Sequence, residues 1–165
     1  MMQTRNFVRG MVLALIASAC GGAAAAHSPG PGNAQATVSV RDVMGVGNVY
    51  TDAQGRSLYT PAQESSGRIM CTGSCTSIWI PLAAPASGSP TKASSVKGTV
   101  SVITRPDGIR QVTLDGAPLY RFFQDAAPGE VNGNGLKDNF GGTNFTWQLE
   151  TGGAPVKSMP AVPGY

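Results

Sequence analysis

The chain has 165 residues, which is about one domain's worth of polypeptide. Its 22 Gly and 12 Pro, with only 13% charged residues, exclude a helical bundle or coiled coil, while 41% hydrophobic residues still allow a packed core. From Cys20 onward 10 Lys and Arg face 9 Asp and Glu, so charge gives no footing for nucleic-acid binding.

In chain order, the first element is an address. Arg5 and Arg9 precede the apolar run Met11–Ala19. That run is too short to span a bilayer, which takes about 20 residues, but it suits the hydrophobic region of a secretory signal peptide. The stretch Ile16-Ala-Ser-Ala19 before Cys20 resembles the lipobox of bacterial lipoproteins. By that resemblance the signal peptide is residues 1–19, and Cys20 is the lipidated N-terminus that holds the protein to the membrane. Ordinary signal cleavage at Ala17-Ser-Ala19 or Ala24-Ala-Ala26 is the alternative. Residues 20–36 are rich in Gly, Ala and Pro without periodicity and read as a flexible tether. His27, the one histidine, lies there with no second His to complete a metal site.

The body follows over 37–152, with a tail at 153–165. Thr37-Val-Ser-Val-Arg41 alternates apolar and polar residues with period two, as a half-buried strand does. Val96–Thr104, the turn Pro106-Asp-Gly108 and Arg110–Leu114 read as a hairpin. Asp115-Gly116 is a second turn, leading into the aromatic strand Leu119–Phe123. No stretch of ten residues after Cys20 carries a helical stripe. The expected fold is all-β and antiparallel.

Two segments look like copies. Gly55-Arg-Ser-Leu-Tyr59 aligns with Gly116-Ala-Pro-Leu-Tyr120, and each follows a turn carrying an Asp, Asp52 or Asp115. Each leads through a loop to a Trp-centred strand, at Trp79 and Trp147. A Pro/Ser/Ala-rich connector, Ala83–Ser95, lies between them. Neither copy is large enough to bury a core alone, so two pseudo-symmetric β-repeats, about 46–82 and 108–150, are expected to pack as one small domain.

These residues carry a resemblance. Asp52–Tyr59, Cys71-Thr-Gly-Ser-Cys75 running into Trp79 and Pro81, and Asp115–Tyr120 resemble the bacterial secreted-repeat lipoproteins, a family named for a Tyr-x-(Phe/Trp/Tyr)-x-x-Asp motif. Tyr120-Arg-Phe122-Phe-Gln-Asp125 fits that motif. The first copy departs from it, with Pro61 in place of the aromatic and Glu64 in place of Asp, so a binding role of the motif falls to the second copy. The resemblance implies a lipid-anchored, β-rich repeat domain of the cell envelope and brings no catalytic activity.

Candidate chemistry is sparse. Outside the cytoplasm Cys71 and Cys75, separated by three residues in a Gly/Ser loop, are most simply a disulfide; a redox-active pair or soft-metal ligation with Met70 are the alternatives. In a strand Tyr120 and Phe122 point to one face, where with Asp125 they form a possible ligand surface; packed in a core, they leave Asp125 to cap the following turn. The loop Asp125–Asn139 is rich in oxygen donors, which fits an Asx-rich turn or a hard-cation loop. No nucleophile elbow, phosphate-binding loop, histidine base or zinc pattern is present, so no catalytic residue, cofactor or resident metal is expected. The function this supports is a non-catalytic binding or structural module whose partners are the membrane, through Cys20, and an envelope protein or small ligand. The alternative is an envelope redox or metal-handling accessory using Cys71 and Cys75.

Overall fold

Antiparallel hairpins generate most of the sheet structure. In the computed structural model, which describes residues 36–152, β1 (Ser39–Val43) pairs with β2 (Gly47–Thr51), placing Val40 opposite Tyr50. The signal segment, Cys20, nearly all of the tether and the 153–165 tail lie outside the described residues. A second hairpin joins β5 (Val100–Thr104) to β6 (Arg110–Leu114), and a third joins β6 to the short β7 (Ala117–Pro118). The link between β6 and β7 is the two-residue turn Asp115-Gly116, with φ of 49° and 87°. Both residues take the left-handed conformation that two-residue hairpins require, which Asp tolerates and Gly favours.

The remaining strands form a five-stranded sheet in the order β4 (Trp79–Pro81), β8 (Tyr120–Phe122), β3 (Tyr59–Pro61), β10 (Thr143–Leu149), β9 (Lys137–Phe140). Every pairing in it is antiparallel. Helix is confined to single turns at Ala62–Glu64 and Cys75–Ile78, and no helix among the described residues is long and apolar enough to cross a membrane. The fold is the antiparallel β structure that the alternation predicts. Strands β2 and β9 carry little signal of their own, because Gly47-Asn48 and Lys137-Asp138-Asn139 are poor strand formers; their hairpin partners hold them.

Successive residues on a strand face opposite ways, and one face of this sheet carries the large aromatics. Tyr59, Trp79, Tyr120, Phe122 and Trp147 enter one apolar cluster. Leu58, Leu82 and Leu119, each just outside the end of its strand, enter another with Val38, Tyr50 and Val112. The second core therefore meets the sheet at its strand ends, beside the first.

Candidate functional site

The centre of the sheet is the point where Tyr59 of β3 lies opposite Tyr120 of β8. From there each phenol reaches the carboxylate that stands five residues after the other. Tyr59 donates its hydroxyl to Asp125 Oδ2 at 2.5 Å, and Tyr120 donates to Glu64 Oε2 at 2.7 Å. The second oxygen of each carboxylate holds a loop. Glu64 Oε1 accepts the backbone N–H of Met70 and of Cys71, while Asp125 Oδ1 accepts that of Asn132 at 3.0 Å. Cys71 follows Tyr59, and Asn132 follows Tyr120, by the same twelve residues.

The aromatic strands cross in the same way. Trp79 lies opposite Phe122, two residues after Tyr120, and Trp147 lies opposite Pro61, two residues after Tyr59. The indoles stack with centroids 3.8 Å apart and planes 8° from parallel. Tyr59 meets Trp79 edge-on at 5.5 Å, and Tyr120 meets Trp147 at 5.2 Å. Gly133 runs so close over this pair that a Cβ there would sit 2.8 Å from Trp79 Cη2.

The two carboxylates differ in electrostatics. Buried Arg105 donates through Nη1 to the Tyr120 hydroxyl and to Gln111 Oε1, and through Nη2 to the Cys71 carbonyl, so its charge stands one hydroxyl away from Glu64. Among the described residues no Lys or Arg forms an ion pair with Asp125. Burial pushes the Asp125 carboxyl up to about 6, with Glu130 adding to the rise and the bonds from Tyr59 and Asn132 opposing it. Burial raises both phenols as well, and a neighbouring carboxylate raises each further, so both stay protonated donors.

The other sequence candidates are placed as follows. Cys71 and Cys75 form a disulfide with Cα atoms 5.3 Å apart, and both residues are fully buried. Tyr120, Phe122 and Asp125 are 0%, 2% and 2% exposed. Tyr120 and Phe122 do share a face, but it packs against the core, so the three form no ligand surface. Asp125 does hold its following loop, at Asn132, and also bonds across the sheet to Tyr59. In the oxygen-rich loop Asn134 Oδ1 accepts the Leu149 N–H. The sequence reading missed Glu64, Arg105 and Gln111. For Glu64 the signal was present: its five-residue offset from Tyr59 repeats that of Asp125 from Tyr120, and only the longer side chain disguises it.

Residues 101–142 match the Lipoprotein_15 family, a secreted repeat of unknown function. The match runs from β5 to β9 and contains Tyr120, Phe122 and Asp125. No curated protein and no solved structure matches the chain. The secreted-repeat resemblance thus holds for the second half of the domain.

Proposed function

We propose that this chain is a lipid-anchored cell-envelope protein whose β domain is a non-catalytic binding or structural module, built from two interlocked copies of the secreted repeat. The observation that carries this reading is the use made of the reactive side chains. Tyr59, Tyr120, Glu64, Asp125 and both cysteines are buried and bonded to one another or to nearby backbone, so the groups best suited to chemistry hold loops and strands together.

The family match covers only the second copy. A first copy is supported by equal offsets in the pairing: Leu82 N–H donates to the Leu119 carbonyl, and Glu150 N–H to the Leu58 carbonyl, each at 2.9 Å and each three residues after a Trp. The anchor rests on the resemblance of Ile16-Ala-Ser-Ala-Cys20 to a lipobox, and two or three acyl chains would give stable attachment. The redox or metal-handling alternative needs Cys71 and Cys75 sulfurs within reach of a partner, whereas the bonded pair is fully buried.

The anchor is tested by expressing the chain with its own signal peptide. The wild-type protein is expected in the detergent phase with an acylated N-terminus at Cys20 by mass spectrometry, and Cys20→Ser in the soluble fraction or unprocessed. An unmodified wild-type N-terminus at His27 would overturn the anchor.

A further inference from the structure

The residue after each central tyrosine is where the halves part company. Thr60 follows Tyr59; its hydroxyl donates to the Pro118 carbonyl at 3.1 Å, and its side chain also bonds to the Glu150 carboxyl. Arg121 follows Tyr120 and reaches instead to the turn after β2, where its Nη1 stands 3.5 Å from Asp52 Oδ2. The Nε of Arg56 stands 3.5 Å from that same oxygen. Asp52 is 2% exposed, and its other oxygen is occupied by the N–H groups of Gln54 and Arg56, each at 2.9 Å. Two guanidiniums therefore share one carboxylate oxygen at a distance where hydrogen bonding has faded.

Three of the four buried side-chain atoms that lack a hydrogen-bond partner among the described residues are here: Asp52 Oδ2, Arg56 Nε and Arg121 Nε. These groups are ion-paired through Asp52 Oδ2 but lack good hydrogen-bond geometry, so both Nε donors have room for a better-placed acceptor. Burial and the Arg56 charge lower the Arg121 pKa, and Asp52 offsets this only in part. The side chains remain reachable, with a third of Arg56 and a fifth of Arg121 exposed. Arg41 comes to the same turn, since a Cβ on Gly55 would lie 2.9 Å from its Nη2. An open groove of about 470 Å³ adjoins the turn, lined by Arg41, Asp42, Asp52 and Gly55 but not by Arg56 or Arg121.

We propose that Arg56 and Arg121, with Arg41 at the rim, bind an oxyanion of the phosphate class. The planar forks of two arginines suit phosphate oxygens, and one anion would supply the negative charge and acceptors that Asp52 leaves wanting. This gives the binding half of the function proposed above a chemical class, and its test does not involve the anchor. The anion is either a free phosphate or the phosphodiester of a lipid headgroup.

The test uses the full chain in detergent, titrated with inorganic phosphate against chloride at matched ionic strength, by calorimetry and by thermal unfolding. Phosphate is expected to bind with measurable heat and to raise the wild-type melting temperature. Arg121→Gln and Arg56→Gln should weaken binding at least tenfold and abolish the rise. Arg41→Gln, at an exposed position, keeps the fold and should weaken binding by a smaller factor. Absence of wild-type heat, or an equal response in all three variants, overturns the proposal. Flotation with vesicles then separates the sources: a preference for phosphatidylglycerol over phosphatidylcholine that Arg121→Gln removes identifies the headgroup, and phosphate binding without that preference identifies the free ion.

Discussion

At the scale of single residues, Asp125 and Glu64 perform one job in two electrostatic settings. Each takes a tyrosine hydroxyl and a loop amide, but only Glu64 has an arginine one hydroxyl away. Asp125 is charged at a cost, so its protonation belongs to the folded state. Its carboxyl lies at about 6 when folded and near 3.8 when free. The folded state therefore binds the extra proton between those values, and the stability this contributes is complete below pH 3.8 and lost as pH rises through 6. Urea unfolding at a series of pH values should show wild-type stability falling across this window. Asp125→Asn, a neutral side chain of the same shape, should remove most of that slope. Glu150, whose carboxyl is also raised by burial, contributes in the same direction in both proteins and cancels from the comparison.

At the scale of strands, β4 and β10 meet through the stacked indoles of Trp79 and Trp147, yet the two rings are held differently. Trp79 Nε1 donates to Asp138 Oδ2 at 2.7 Å, whereas Trp147 Nε1 is buried with no hydrogen-bond partner among the described residues. Replacement by Phe keeps an aromatic ring in each place and isolates the N–H. Trp79→Phe should cost about 1–3 kcal/mol more than Trp147→Phe, the range for breaking a buried hydrogen bond from one side. Denaturant midpoints of the two variants measure that difference. Most of this level was legible in the sequence, because Tyr and Trp in matched order in two alternating segments name the core directly. The partners of those strands were not legible. Nothing in Tyr59-Thr-Pro61 says that it pairs with Trp147 rather than with its own hairpin neighbour, and nothing local reveals that Arg105, at the end of β5, reaches inward to Tyr120 and Cys71. Contacts between residues distant in sequence leave no period to read.

At the scale of the whole domain, β3 and β4 pair with β8 and β10 rather than with each other. The link between the two sets runs through Ala86–Ser89, where the side chains are exposed. Cutting the chain there removes a connection and no core contact. Limited proteolysis within 86–89 should therefore leave two fragments that co-elute in gel filtration under native conditions and separate only in denaturant. Fragments that part without denaturant would contradict the observed strand order.

The order β4-β8-β3-β10 also has a consequence in time. Tyr59 finds its neighbour in the sheet only when Tyr120 is available, and Pro61 only when Trp147 is. A chain that emerges from its N-terminus has thus presented all of β1 to β4 before either partner of β3 exists. Pairings of such long sequence separation form slowly, because loop-closure entropy must be met first. The central sheet therefore cannot close until residue 149 has been made.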